Sequence, residues 1–275
     1  MDQQTVVLEK HLLSDRSQQF IAMLKLHRPN AANSFNDDMI SSIASHLAAL
    51  SLDEHCRMLI LSGEGKHFSA GADLHWMKKS YNLSPEENYE ESEKMAAMFE
   101  QLYQLPMPSI AVVQGAAFGG AVGLVACCDF AIASTKSTFC LSEVKLGILP
   151  AVILPYLSLK FNSGALRRLS LSGQTFCANE AKEYGLIDLC SPPEQLRPTL
   201  IKEINALLTG GPKAQRALKK LHQHLASTNY QQCPETSKAI STARSGSEAQ
   251  QGFAAFFAKE KPSWIEELTD EFPIL

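Results

Sequence analysis

Twice in this chain an unbroken apolar run of strand length empties into a glycine-rich loop and then into a helical pattern. Residues 58–61 lead through Ser62-Gly63-Glu64-Gly65 into Phe68-Ser69-Ala70-Gly71-Ala72-Asp73. Residues 109–113 lead through Gln114-Gly115-Ala116-Ala117-Phe118 into Gly119-Gly120. A strand that delivers the chain to a helix N-terminus demands layered α/β packing. Small residues at such a junction leave backbone N–H groups uncovered, pointing outward with partial positive charge. Two convergent N–H groups can hold an oxyanion, each contributing ~2.7–4 kcal/mol to the stability of a transition state. Taken singly, either loop also reads as a tight turn in which small residues permit close packing.

The rest of the chain fits between and after these junctions. Residues 6–8 and 20–26 read as a hairpin around Ser14-Asp15-Arg16-Ser17. Met39, Ile40, Ile43 and Leu47 mark a helix over 37–50. A second helical pattern, 85–105, ends at Pro106 and Pro108. Further strands are expected at 129–133, 138–141 and 186–189, and helices dominate from Pro155 onward. Gly210-Gly211-Pro212 reads as a hinge, so residues 1–209 form the expected core and 210–275 a helical appendage.

The chain of 275 residues is long enough to bury a core without disulfides or metals. Its net charge of −4, without a Lys/Arg run, gives no footprint for nucleic acid. The seven cysteines, Cys56, Cys127, Cys128, Cys140, Cys177, Cys190 and Cys233, are odd in number and lack a CxxC pair, as buried reduced thiols of a cytoplasmic protein would. No signal peptide is visible at the N-terminus, and no stretch approaches the ~20 apolar residues of a membrane span. GxGxxG, P-loop and GxSxG patterns are all absent. His222 and His224, two apart, lack metal spacing, and no metal is expected.

Taken together, several segments resemble the enoyl-CoA hydratase/isomerase (crotonase) family. They are Leu26-His27-Arg28-Pro29 with Asn33; Phe68 through Leu74; Gln114 through Gly120; Cys128-Asp129; Leu141-Ser142-Glu143-Val144-Lys145-Leu146-Gly147; Leu171-Ser172-Gly173 with Glu180-Ala181 and Gly185-Leu186; and the tail from Phe256 to Trp264. They run in family order over almost the whole chain. The resemblance implies an α/β spiral of repeated ββα units with a C-terminal helical region that mediates trimerisation, as a homotrimer or dimer of trimers. It implies an acyl-CoA substrate with no separate cofactor, and a thioester oxygen gripped by the N–H groups of Ala72 and Gly120. Ala70, Ala72, Asp73, Leu74, His75 and Gly120 would line the CoA and thioester, and Lys259 would reach a neighbouring subunit's CoA. Glu143 falls where the family places one catalytic glutamate.

One departure matters. Typical hydratases of the family carry a second glutamate three residues after the second glycine, and that position here is Gly123. An isomerase that shuttles a proton with one carboxylate, and a catalytically silent acyl-CoA binder, both stay open. In other details (Asp73 to Met77, Phe118 to Leu124, Leu149 to Ile153) the chain is similar to a bacterial subgroup assigned to hydration of branched, carboxylated enoyl-CoAs of the methylglutaconyl or carboxygeranoyl type. Hydration is therefore the expected reaction. Asp73 is expected to cap a helix, Trp76 and Tyr156 to pack, Arg167-Arg168 to lie on a solvated face, and Lys145 is placed to tune Glu143 if the two touch.

Overall fold

A computed structural model describes residues 4–14, 18–226, 234–269 and 272–273. The turn residues Asp15, Arg16 and Ser17 and the thiol Cys233 lie outside the described residues. In chain order the elements begin with β1 (Val6–Leu12), β2 (Phe20–Leu26), α1 (Asp37–Ser51), β3 (Cys56–Gly63), α2 (Leu74–Ser80) and α3 (Pro85–Tyr103). Next come β4 (Ser109–Val113), β5 (Ala116–Phe118), α4 (Gly120–Cys127), β6 (Phe130–Ser134) and β7 (Thr138–Cys140). They are followed by α5 (Leu154–Lys160), α6 (Ser163–Ser172), β8 (Thr175–Cys177), α7 (Ala178–Glu183), β9 (Leu189–Ser191) and α8 (Leu196–Leu208). The last elements described are the helices α9 (Pro212–Ala226), α10 (Pro234–Ser245) and α11 (Ser247–Ala258).

Six strands form one sheet in the order β1-β2-β3-β4-β6-β9, and three form a second in the order β5-β7-β8. The β1/β2 pair is the expected antiparallel hairpin; from β2 to β9 the large sheet is parallel. The chain leaves β4, turns at Gly115 and enters β5 of the second sheet before starting α4. Gly115 has φ +60°, and a Cβ there would lie 2.1 Å from the Lys66 oxygen, so the turn requires glycine. A bridge between Ser69 and Ala117 carries the first glycine-rich loop into line with β5. Strand, switch of sheet and helix thus repeat as ββα units.

Both faces of the large sheet are buried at β3 and β4, which explains why these strands read as continuous apolar runs instead of alternating ones, while the edge strand β1 stays largely half-buried or exposed. On one face Leu24, Leu59, Leu61, Ala111 and Val113 pack with α1, α3 and α4. On the other Ile21, Ile60, Ile110, Val112 and Ile132 meet Leu200, Ile201 and Ile204 of α8. The Asn36 side chain caps α1 by accepting the Met39 N–H at 3.0 Å. Ser84 and Glu87 form a capping box on α3. The three-residue strands β5 and β8 have no strand counterpart in the sequence reading, which places 116–118 in a loop, and the strand expected at 186–189 lies at Leu189–Ser191.

Gly210 and Gly211 connect α8 to α9, and beyond them the chain is tied back to the large sheet. The buried Arg57 guanidinium donates to the carbonyls of Gly210 (3.1 Å) and Trp264 (2.9 Å). Leu268 is buried among the α8 side chains. Lys219 of α9 pairs with Asp129 at 2.6 Å. Among the described residues no helix is long and apolar enough to cross a membrane.

Candidate active site

The first glycine-rich loop is held by a backbone bridge. Phe35 N–H donates to the Gly71 carbonyl (2.8 Å), and Asp73 N–H donates to the Phe35 carbonyl (2.9 Å). Phe35 and Ala72 are therefore parallel bridge partners. In an extended segment successive N–H groups point to opposite sides, so the Ala72 N–H faces away from Phe35. Gly71, with φ +92°, makes the approach possible; a Cβ there would stand 2.9 Å from the Phe118 oxygen.

The second loop presents its donor differently. Gly119 has φ +54°, and its own N–H is taken by the Cys140 carbonyl at 2.8 Å. Gly120 follows as the first residue of α4, where an N–H has no intrahelical acceptor. Among the described residues neither Ala72 N–H nor Gly120 N–H finds a protein acceptor. Seven of the eight α4 residues are buried, so packing, together with the Gly119–Cys140 hydrogen bond, sets the direction of that helix end.

Glu143 opens the turn Glu143–Leu146 beside this junction. A Cβ at Gly119 would lie 3.2 Å from Glu143 Oε1, which places the carboxylate against the residue that precedes Gly120. Its Oε2 is buried and has no hydrogen-bond partner. Burial pushes the Glu143 carboxyl above the usual range, opposed only by its own backbone N–H. Lys145 has no part in that shift: its aliphatic stem packs at Gly173 instead.

Asp73 caps α2, accepting the N–H groups of His75 (2.8 Å) and Trp76 (3.4 Å) at Oδ1. Its Oδ2 pairs with the Arg28 guanidinium at 2.9 Å. Burial would raise the Asp73 carboxyl, but the bonds from Arg28, His75 and Trp76 outweigh it and hold it below the usual range. Arg28, Asn36, Asp37, Asp73, His75 and Lys79 line a polar cleft of about 370 Å³ along this loop. The His75 side chain is fully exposed and Leu74 is 80% exposed, while Ala70 is half-buried. Trp76 Nε1 donates to Asp37, and Tyr156 packs against Phe99 and Tyr103 with its hydroxyl pushed up to about 12, first by burial. Arg168 lies on the surface, donating to Tyr184. Lys259 ends α11, exposed, and no hydrogen bond or ion pair joins it to Ala72, Gly120 or Glu143.

The structure also accounts for Gly123. A Cβ at that position would stand 2.2 Å from Ile153 Cγ2 and 3.0 Å from Phe99 Cε1. The place of a second glutamate is thus filled by aliphatic and aromatic carbon. Sequence reasoning could not find Ile153 in this role, because the pairing joins residues thirty positions apart. The sequence model of the enoyl-CoA hydratase/isomerase family matches residues 16–267. A crotonyl-CoA hydratase of Syntrophomonas wolfei is 30% identical over 271 residues, covering 96% of this chain and 99% of the relative. The crystal structure of an enoyl-CoA hydratase from Shewanella pealeana is similar at TM-score 0.87 and 37% identity, over 96% of this chain and 97% of that one. An enoyl-CoA hydratase/isomerase structure from Marinobacter aquaeolei gives TM-score 0.88 at 26% identity, over 95% and 99% of the two chains.

Proposed function

The chain belongs to the enoyl-CoA hydratase/isomerase family and has its crotonase-like α/β fold, and on that premise we propose that it adds water to a 2-enoyl-CoA, with Glu143 as its single proton carrier. The observation that carries the reading is the buried, unpartnered Oε2 of Glu143 at the junction that ends in the uncommitted Gly120 N–H. The thioester oxygen accepts the N–H groups of Ala72 and Gly120. Glu143 takes a proton from water as the water oxygen bonds to Cβ. The electrons of the Cα=Cβ bond move onto the thioester oxygen, whose charge the two N–H groups hold. Protonated Glu143 then gives the proton to Cα, and the carboxylate is restored. A carboxylate whose affinity for protons is raised by burial suits both steps. Delivery and return by one group on one side of the substrate makes the addition syn.

A second reading rests on Gly123. With Ile153 and Phe99 closing that position, the same carboxylate suits transfer of a proton from Cα to Cγ of a 3-enoyl-CoA, which leaves the mass unchanged. The branched, carboxylated class suggested by the residues around His75 and Ile153 is the first substrate class to offer. Pure enzyme is incubated with 3-methylglutaconyl-CoA, crotonyl-CoA and a 3-enoyl-CoA, the conjugated-enoyl absorbance is followed for its loss or gain, and products are weighed by mass spectrometry. A gain of water from either 2-enoyl substrate supports hydration. Turnover confined to the 3-enoyl substrate without mass change replaces it with isomerisation, and no turnover of any leaves an acyl-CoA binder.

Assembly belongs to the same proposal. Phe253, Phe256 and Phe257 on α11 are 46%, 75% and 78% exposed, an apolar face suited to a second copy of the chain. Lys259, at the end of the same helix, would then be placed against a neighbour's CoA. A monomeric mass in light scattering would sink the trimer.

A further inference from the structure

The Ala72 donor hangs on a bridge whose two strands are joined by one side chain. Arg28 Nη1 donates to the Ser34 carbonyl, and Arg28 Nη2 donates to Asp73 Oδ2 at 2.9 Å. Ser34 precedes Phe35 and Asp73 follows Ala72, so the guanidinium spans the Phe35–Ala72 bridge one residue outside it. Arg28 is itself anchored: its N–H donates to Asn33 Oδ1 at 2.8 Å, and the fully buried Asn33 amide donates to the carbonyls of Glu64 and His67. The Arg28 and Asp73 side chains are 23% and 11% exposed, so the pair is shielded from most solvent screening.

We propose that Arg28 is a positioning residue for the reaction: its fork between Ser34 and Asp73 fixes the direction of the Ala72 N–H toward the developing oxyanion. The inference rests on the assignment of Ala72 and Gly120 as the oxyanion donors. An N–H that is misdirected by a few tenths of an ångström loses most where charge is greatest. Loss of the fork therefore weakens the enolate state far more than the neutral thioester. The planar guanidinium reaches two acceptors at once; an ammonium is a point charge and reaches them less well together.

The test compares two ligands on wild type, Arg28→Gln, Arg28→Lys and Asp73→Asn. Butyryl-CoA is saturated and stays a neutral thioester; acetoacetyl-CoA ionises to an enolate. Arg28→Gln is expected to weaken acetoacetyl-CoA about tenfold or more and to change butyryl-CoA by less than about threefold. In turnover kcat falls while KM holds, and Arg28→Lys recovers part of the loss. Asp73→Asn keeps an oxygen to cap α2 and removes the ion pair; because Asp73 also belongs to the loop placed along CoA, its readout is the ratio of acetoacetyl-CoA to butyryl-CoA affinity, which should fall as it does for Arg28→Gln and serves if Arg28→Gln fails to fold. Equal losses for both ligands would overturn the proposal and make Arg28 a CoA contact, and unchanged affinity for both would overturn it as well. If wild type itself shows no preference for the enolate ligand, the oxyanion assignment fails first and the positioning role falls with it.

Discussion

The two glycine-rich loops present one N–H each, yet they are held by different physics. Beside the Gly119–Cys140 hydrogen bond, the loop that ends in Gly120 is locked mainly by packing: α4 is buried along seven of its eight residues, and Gly119 and Gly123 are positions where a Cβ meets Glu143 or Ile153. The loop that carries Ala72 is held by hydrogen bonds. It rests on the Phe35 bridge, the Asp73 cap and the Arg28 ion pair, and the helix that follows it, α2, buries none of its seven residues. A packed donor resists solvent and tolerates no added volume. A hydrogen-bonded donor tolerates volume on its open side and depends on each polar partner. The arrangement fits a site where one wall must be rigid and the other must admit a long, polar ligand.

Glu143→Gln, which disturbs neither loop, should have the largest effect. It keeps the shape and removes the proton carrier, so turnover is expected to fall ~10²–10⁴-fold, the range for a positioned acid–base group. Affinity for butyryl-CoA should persist, as isothermal titration would show. Substantial activity in this variant would break the comparison, because the carboxylate beside Gly119 would then be idle.

Gly123→Ala strikes the packed side. Its methyl group has no room against Ile153, and overpacking of this kind costs ~1–3 kcal/mol of stability. A lowered melting temperature with reduced turnover is expected, and Ile153→Ala in the same chain should restore much of both. Asp73→Ala strikes the hydrogen-bonded side. Loss of the cap costs ~0.5–2 kcal/mol, and the damage should fall on kcat without a cost in core packing. If the two variants behaved alike, the distinction between the loops would fail.

The Glu143 carboxyl adds a pH dependence with a defined sign. Its affinity for protons is higher in the folded chain than in an unfolded one, because burial disfavours the charge. Its favourable contribution to stability is therefore complete below the unfolded pKa and lost as pH rises through the raised folded value. At neutral pH the ionised side chain is a burden, so Glu143→Gln should melt higher than wild type. The gain should shrink as pH falls through the raised value. Turnover runs the other way: the base is consumed by protonation, so kcat/KM should decline through the same region on acidification.

Much of this was legible in the sequence, and the limits have physical reasons. The Asp37–Ser51 helix and the Ser109–Val113 strand follow from periodicity and apolar runs. Both glycine-rich loops are readable because a strand, small residues and a helix start lie together in sequence, and Glu143 stands out because its motif is local. Arg28 with Asp73, and Gly123 with Ile153, are contacts between residues far apart in the chain. Nothing in a single sequence announces them. That the Ala72 N–H is free follows from the Phe35 bridge, a pairing between an irregular segment and a loop with no pattern of its own.

The smallest effect belongs to Leu74→Ala. Leu74 is 80% exposed at the start of α2, so truncation removes little buried area, and its stability cost should stay within ~0.5 kcal/mol. With Leu74 along bound CoA, as the family resemblance implies, the same change should weaken butyryl-CoA measurably while kcat at saturation holds, since the contact is equal in ground and transition states. The variant sharpens the comparison because it separates the two duties of the hydrogen-bonded loop. A loss in KM alone assigns Leu74 to ligand binding and leaves the Ala72 donor undisturbed. A loss in kcat would mean that α2 and the donor move together, and that the Phe35 bridge and Arg28 do not suffice to hold the N–H in place.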